Sequence, residues 1–131
     1  MVMDGKLYLE ATVKTPEVEV NPTEGILIMK GRSLPEDAIE FYEPVFDALN
    51  VATAGKDFFT LKFYLEYLNT SSSSIIRSVM EYFADKKLSG DIDFIIEWYY
   101  EEDDFEMEEM GKHYEQTIDN LPVKFIEVDA L

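Results

Sequence analysis

A run of hydroxyl side chains is the segment of this chain best suited to carry chemistry. Residues 69–74 read Asn-Thr-Ser-Ser-Ser-Ser. A hydroxyl can accept a phosphoryl group, and at the start of a helix it lies beside unpaired backbone N–H groups that favour an anion. Asn, Ser and Thr are also the usual helix N-cap residues, so the run predicts either a phosphorylation switch or a plain cap. The local pattern does not choose among Thr70 and its serine neighbours.

An acidic run is the second candidate. Glu101, Glu102, Asp103 and Asp104 open a stretch in which seven of the residues 101–109 are acidic. Carboxylates bind Mg²⁺ or Ca²⁺, but the stretch lacks the spaced acids and the turn glycine of an EF-hand loop. Acids in the first turn of a helix complement its dipole without any metal. We therefore expect no metal here, but a solvated helix start that doubles as a docking surface for a partner.

Enzymatic chemistry finds little support elsewhere in the sequence. His113 is the only histidine and there is no cysteine, which argues against a zinc site. No glycine-rich phosphate-binding loop occurs. Among the neighbouring aromatic residues, Trp98 and Tyr100 continue an apolar strand face, whereas Tyr99 points the other way and is the candidate for exposure. We expect no catalytic residue and no cofactor.

These candidates need elements that position them. Upstream of the hydroxyl run, residues 58–68 alternate as a strand whose apolar face comprises Phe59, Leu61, Phe63, Leu65 and Tyr67. Downstream, residues 71–87 show helical spacing, with a core-facing stripe of Ile75, Ile76, Val79, Met80 and Phe83. The hydroxyl run is therefore predicted to lie where this helix begins.

The remaining chain continues the alternation of strands and helices. Strand 92–100, helix 103–119 and strand 123–128 follow in order. Towards the N-terminus, strands 7–13 and 26–30 are expected to form an antiparallel pair. A helix is then expected to start with Ser33 or Leu34 as its cap and Pro35 near its first position, burying Ile39, Tyr42, Val45, Phe46 and Leu49.

This order predicts the fold class and the place of the site. It indicates one α/β domain over residues 1–131, with a mixed sheet in which an N-terminal antiparallel pair precedes parallel strands joined by crossover helices. Functional sites of parallel sheets gather at the carboxyl ends of the strands. Both the hydroxyl run and the acidic run follow such ends, so we expect them on one edge of the sheet.

Composition restricts the class of protein and of partner. Of 131 residues, 28 are acidic and 11 are basic, which gives a net charge of −17. Such a field repels nucleic acid and anionic membranes and favours a partner with a basic patch. The N-terminus lacks a signal-like pattern, and no apolar segment approaches the length needed to span a bilayer. We expect a cytoplasmic protein.

Several stretches, taken in order, resemble the SiaC-family regulatory phosphoproteins of bacteria. They are TPEV at 15–18, GRSLPEDA at 31–38, FYEP at 41–44, LEYLNTSS at 65–72 and WYYEEDD at 98–104. The resemblance covers nearly the whole chain. It implies a fold similar to the STAS fold of anti-sigma-factor antagonists, in which helices flank a sheet.

The resemblance also implies a partner-switching function. In the family, the threonine of the Asn-Thr-Ser-Ser motif is phosphorylated by a histidine-kinase-like Ser/Thr kinase, and a PPM-type phosphatase removes the phosphate. The unmodified protein binds and activates a diguanylate cyclase, which raises cyclic-di-GMP and promotes biofilm formation. Carried over to this chain, the phosphoacceptor is Thr70, with Ser71 and Ser72 as secondary candidates.

Three hypotheses therefore stand side by side. In the first, phosphorylation of Thr70 controls a partner surface formed by Asn69, Thr70, Ser71, Ser72, Tyr99, Glu101, Glu102, Asp103 and Asp104. In the second, the protein is a metal- or small-anion-binding enzyme that uses the Thr70 helix start and the acidic run 101–109. In the third, it is a constitutive scaffold in which the serine run is only a cap.

Overall fold

The computed structural model describes residues 4–131. Residues 1–3 lie outside the described range. The expectation that the chain has no secretory signal depends in part on these residues. Within that range the elements follow in the order β1 (Leu7–Leu9), β2 (Glu17–Asn21), β3 (Ile26–Ser33), α1 (Ala38–Ala52), β4 (Phe58–Leu68), α2 (Thr70–Leu88), β5 (Asp93–Glu101), α3 (Phe105–Thr117) and β6 (Val123–Val128).

The six strands form one sheet in sequence order. β1, β2 and β3 pair antiparallel, and β3, β4, β5 and β6 pair parallel. The predicted mixed sheet is therefore confirmed. Each helix connects two neighbouring parallel strands, and each connection moves one strand further in the same direction across the sheet. Because such connections are right-handed, the three helices lie on one face of the sheet. Within residues 4–131, the opposite face, which we call the open face, carries no helix.

The core lies between the sheet and the helices. Phe59, Leu61, Phe63 and Leu65 of β4 point into it, whereas the residues between them lie on the open face and are only partly buried or exposed. The predicted stripe of α2 is also confirmed, since Ile76, Val79, Met80 and Phe83 are buried and Ile75 packs partly against them.

The stripe of α1 differs in one position from the prediction. Tyr42, Val45 and Leu49 are buried as expected and Phe46 is partly buried, but Ile39 is 75% exposed. Small residues complete the buried stripe instead, namely Ala38, Ala48 and Ala52. The prediction followed the large apolar side chains, whereas alanine allows the helix to approach the sheet closely.

The N-terminal strands pair differently from the prediction. The expected strand 7–13 ends at Leu9, and a turn follows in which the Thr12 hydroxyl accepts hydrogen bonds from the backbone N–H groups of Lys14 and Thr15. The expected direct pairing with the strand that begins at Ile26 is wrong, because β2 lies between them. The turn after β2 connects it to β3, with which β2 pairs antiparallel.

The start of α1 also needs correction. The helix begins at Ala38 and its N-cap is Asp37, whose carboxylate accepts from the Glu40 N–H at 3.0 Å. Ser33 does not cap the helix, because it is the last residue of β3 and its carbonyl accepts from the Asn69 N–H. Pro35 therefore lies in the loop before the helix.

An irregularity near the end of β4 explains why Tyr67 was assigned to the wrong face. Gly31 pairs with Leu65, but the next residue of β3, Arg32, pairs with Tyr67, so Glu66 is an extra residue on β4. The bulge reverses the alternation. Leu68 then points into the core, and Tyr67 is 47% exposed beneath the Arg32 guanidinium, 5.6 Å from its ring centre.

No helix within residues 4–131 combines the length and apolar character that crossing a membrane requires.

Candidate functional site

The hydroxyl run lies at the start of α2, as predicted. The helix begins at Thr70, and the Asn69 side chain caps it by accepting from the Ser72 N–H at 2.9 Å. The Asn69 backbone N–H donates to the Ser33 carbonyl at 2.9 Å, which fixes the cap to the end of β3. The position of this helix start is therefore set by the sheet.

Ser72 faces the interior. It and Ser33 are both fully buried, and the Ser33 hydroxyl donates to the Ser72 hydroxyl at 2.8 Å. The Tyr42 hydroxyl of α1 lies 2.6 Å from the same Ser33 oxygen. Burial raises the pKa of Tyr42 to about 12, although its hydrogen bonds to the two serines act in the opposite direction. This chain of neutral hydroxyls joins β3, α1 and α2.

Ser73 is held by α3. Its hydroxyl lies 2.8 Å from the Tyr114 hydroxyl, which itself donates to the Ser73 carbonyl at 2.8 Å. Because Tyr114 has one proton, Ser73 is the donor to Tyr114. Burial raises the pKa of Tyr114, and the Ser73 hydrogen bond and the nearby Arg77 charge partly oppose this. Tyr114 therefore stays a neutral donor.

Thr70 and Ser71 present their side chains to solvent. Both are exposed, and the Ser71 hydroxyl makes only a long hydrogen bond of 3.4 Å to the Asn69 side chain. The Thr70 hydroxyl has no hydrogen-bond partner within residues 4–131. Ser72, offered by the sequence as a secondary acceptor and a contact residue, is instead buried, because this turn of α2 faces β3 and α1.

The acidic run forms the turn between β5 and α3. Glu101 ends β5, Glu102 and Asp103 are exposed, and Asp104 caps α3 by accepting from the Met107 N–H at 3.0 Å. Together with Asp129, these four residues line a shallow depression of about 350 Å³. The four acids are therefore contiguous, and Asp104 serves both as a cap and as part of this surface.

The charges around the acidic turn are not neutralised from within the described chain. Across residues 4–131, none of the carboxylates that line the depression is in an ion pair. No group of three or more potential ligands in that range is arranged to hold a metal ion.

Tyr99 lies on the open face and is half-buried. Its ring stacks on Tyr64 of β4, with ring centres 4.0 Å apart and planes inclined by 15°. Its hydroxyl donates to Glu97 at 2.8 Å. Burial, together with hydrogen bonds to Tyr64 and Glu97, raises the pKa of Tyr99. The residue is thus a fixed neutral aromatic platform two positions before the acidic turn.

The fold brings the two candidate segments to one edge of the sheet. β4 and β5 are parallel neighbours, with Tyr64 opposite Tyr99, so the segments that follow them leave the sheet on the same side. This confirms the expectation that the hydroxyl run and the acidic turn share the carboxyl edge. Thr70 and Ser71 lie there on the helical side, and Tyr99 lies on the open face.

The cations nearest to Thr70 in sequence are engaged elsewhere. Arg77 donates to the Thr117 hydroxyl at 2.6 Å and lies over the Tyr114 ring. Lys62 lies on the open face, 3.8 Å from the Glu97 carboxylate. Neither is therefore placed to receive a phosphate on Thr70.

Comparison with known proteins identifies the family. A model of the SiaC family regulatory phosphoprotein matches residues 9–128. The chain belongs to the SiaC family. No curated protein matches it.

Solved structures of SiaC share the fold. SiaC of Pseudomonas aeruginosa superposes with a TM-score of 0.85 at 23% identity, over 94% of this chain and 98% of that one. SiaC in the crystal structure of the diguanylate cyclase SiaD in complex with its activator, also from P. aeruginosa, gives a TM-score of 0.86 at 24% identity, over 93% and 99% of the two chains. At this identity the likeness establishes the fold.

Sequence reasoning missed the residues that divide the hydroxyl run of this SiaC-family chain. Ser33 holds Ser72 from 39 residues away, and Tyr114 holds Ser73 from 41 residues away. Tyr42 joins this group through its hydrogen bond with Ser33. Ser33 looked like a helix cap, and Tyr42 looked like an ordinary core residue. Helical spacing offered one signal, because Ser72 lies four residues before the buried Ile76 and so shares its face.

Proposed function

We propose that this SiaC-family protein is a partner-switching regulator, without catalytic activity of its own, that is controlled by reversible phosphorylation of Thr70. The observation that carries the proposal is the division of the hydroxyl run. Ser72 and Ser73 are occupied by internal hydrogen bonds, whereas the Thr70 side chain is exposed at the start of α2. Ser71, also exposed, is the secondary acceptor.

The fold tolerates a phosphate on Thr70. The first turn of α2 contains no acidic residue, so the positive end of its dipole is not yet compensated by charge. A phosphate adds about −1.5 to −2 charges at neutral pH, and a helix N-terminus favours such an anion. Because Arg77 and Lys62 are engaged elsewhere, the phosphate gains no internal partner from them. Modification therefore acts by breaking a contact with another protein.

The contact surface consists of the exposed part of the carboxyl edge. Asn69, Thr70 and Ser71 contribute the helix start, and the acidic turn of Glu101, Glu102, Asp103 and Asp104 contributes negative charge, with Tyr99 at its open-face border. Ser72 lies in the interior behind this surface, where its hydroxyl accepts a hydrogen bond from Ser33. A bulky dianion at Thr70 obstructs a partner that contacts both segments.

Membership of the SiaC family supports the proposed partners. A histidine-kinase-like Ser/Thr kinase adds the phosphate, and a PPM-type phosphatase removes it. The output is activation of a diguanylate cyclase and hence cyclic-di-GMP signalling, which is supported by the crystal structure of the cyclase SiaD with its activator SiaC. The protein acts in the cytoplasm.

The test is a pull-down from the native host with the unmodified protein, Thr70→Ala, Thr70→Glu and Ser78→Glu as baits. Ser78→Glu is the matched control, because Ser78 is exposed on the same helix two turns further on. Retention of a diguanylate cyclase by every bait except Thr70→Glu supports the switch. Identical partner sets for Thr70→Glu and the unmodified protein contradict it. Normal phosphorylation of Thr70→Ala by the captured kinase contradicts Thr70 as the acceptor.

A further inference from the structure

The open face of the sheet contains a groove that borders the proposed contact surface at Tyr99. It has a volume of about 460 Å³, and its walls include Tyr64, Tyr99, Val128 and Ala130. The stacked pair of tyrosines forms a flat aromatic wall. In the part of the chain that the structure describes, no helix covers this face, because the three helices lie on the other side of the sheet. We call this feature the open-face groove.

Two backbone irregularities shape the groove. Gly31 lines it with φ at +109°, a conformation that favours glycine, and contributes no side chain to fill it. Its neighbour strand carries the bulge at Glu66, which also lines the groove. The groove is thus a defined part of the fold, where a glycine and a bulge interrupt the regular side-chain pattern of β3 and β4.

The charges around the groove favour a cationic partner. Glu17 and Glu66 stand at its rim against one cation, Lys30, whose ammonium group lies 5.0 Å from the centre of the Tyr64 ring. Beyond β6 the groove adjoins the acidic depression, since Val128 and Ala130 line the groove and Asp129 lines the depression. An apolar cleft is therefore bordered by carboxylates that have no ion-pair partner within the described chain.

We propose that the open-face groove is a docking site for a basic, apolar peptide segment of a partner protein. An aromatic or aliphatic side chain of the segment fills the groove against Tyr64 and Tyr99, and flanking Lys or Arg side chains pair with the acidic depression. The proposal deepens the proposed function. It depends on that function only for the identity of the partner protein that supplies the segment. The cleft and its charge exist whether or not Thr70 is modified.

A defined peptide tests the proposal directly. The probe is a short fluorescein-labelled peptide in which tryptophan and leucine alternate with lysine, titrated with the full chain and followed by fluorescence anisotropy near physiological salt. Two control peptides replace the apolar residues with serine or the lysines with glutamate. We expect the basic apolar peptide to bind at least about tenfold more tightly than either control.

Protein variants locate the binding. Ala130→Trp fills the groove from an exposed position, and Tyr99→Ala removes its wall; each is expected to weaken binding about tenfold. Phe58→Ala is the matched control, because Phe58 is an exposed aromatic residue at the other end of β4. It is expected to change binding less than twofold. Ala130→Trp replaces no buried side chain, so the test does not depend on whether Tyr99→Ala folds.

Charge reversals separate docking from diffuse attraction. Asp103→Lys is expected to weaken binding several-fold more than Glu40→Lys, which makes the same charge change on α1. Equal effects of these two reversals, tight binding of the serine peptide, or undiminished binding to Ala130→Trp would overturn the proposal. The peptide titration uses unphosphorylated protein, and the pull-down changes only Thr70 and Ser78. Failure of the docking proposal and failure of the Thr70 switch are therefore distinguishable.

Discussion

Two helices begin at the same edge of the sheet, and their first turns carry opposite chemistry. α2 begins with Asn69 as its cap and Thr70 and Ser71 in its first turn, with no acidic residue. α3 begins with Asp104 as its cap and has Glu106 and Glu108 in its first turn. Both starts follow neighbouring parallel strands, so the fold alone does not account for the difference.

The difference indicates which start can receive a new negative charge. At α3 carboxylates already compensate the positive end of the helix dipole, and further negative charge would be repelled. At α2 that position is neutral, and the first two hydroxyls of the helix, on Thr70 and Ser71, are accessible. The uncharged start of α2 is suited to carry a phosphate that is added and removed. The acidic start of α3 is suited to present a permanent negative charge to a partner.

The largest expected effect comes from placing a charge on the inner side of the α2 start. Ser72→Asp buries a carboxylate beside Ser33 and Tyr42, where no cation lies within the hydrogen-bonded group, and should lower the free energy of unfolding by about 3 kcal/mol or more. Ser71→Asp, its exposed neighbour, should change it by less than about 1 kcal/mol. Urea denaturation at 25 °C measures both. Equal effects would show that the run is not divided into an inner and an outer half.

Titration of Tyr42 tests the neutral hydroxyl group behind α2. Its pKa is raised to about 12 in the folded protein by burial, against about 10 for a tyrosine in the unfolded chain. Between these values the unfolded chain loses the proton first, so stability should fall with rising pH by up to about 1.4 kcal/mol per pH unit. Tyr42→Phe lacks this contribution. Denaturation from pH 9 to 12 should therefore give a shallower slope for the variant, and parallel curves would contradict the assignment.

Exchanging the two caps should give the smallest effect. Asn69→Asp supplies the charge that the α2 start lacks and gives up only the long 3.4 Å hydrogen bond from the Asn69 amide to the Pro35 carbonyl, so it should stabilise the protein by about 0.3–1 kcal/mol. Asp104→Asn removes a charge from the α3 start and should destabilise it by a similar amount, about 0.3–1 kcal/mol. Both changes should shrink in 1 M NaCl because the dipole interaction is screened. If 1 M NaCl raises the stability of Asn69→Asp relative to the parent protein, the α2 start does not favour a negative charge.

Much of the fold could be predicted from periodicity alone. The alternation in β5 and in β4 up to its bulge, together with the stripe of α2, identified the parallel half of the sheet, because each has one uniform apolar face. The N-terminal half was harder to predict. β1 and β2 are short, and the stripe of α1 depends on alanines, which give a weak hydrophobic signal. The bulge at Glu66 is invisible to a period-two pattern because it reverses the phase within one strand.

The two segments of the site could be predicted from the sequence. The division of the hydroxyl run into buried and exposed side chains could not. Local sequence placed Thr70 at a helix start and the acidic turn at another, and topology placed both on one edge. The inner hydroxyl group could not be predicted, because Ser33, Tyr42 and Tyr114 approach Ser72 and Ser73 only after the chain folds. A serine run looks uniform in sequence, and distant partners distinguish its members.

The most direct test compares stoichiometrically Thr70-phosphorylated protein with the unmodified protein in two measurements, affinity for the captured cyclase by calorimetry and the free energy of unfolding. Phosphorylation should weaken binding by about thirtyfold or more, equivalent to about 2 kcal/mol, because a dianion obstructs the partner contact. The free energy of unfolding should change by less than about 1 kcal/mol, because the α2 start accepts the charge. Unchanged affinity, or a loss of affinity matched by a comparable loss of stability, would contradict a switch that acts on the contact alone.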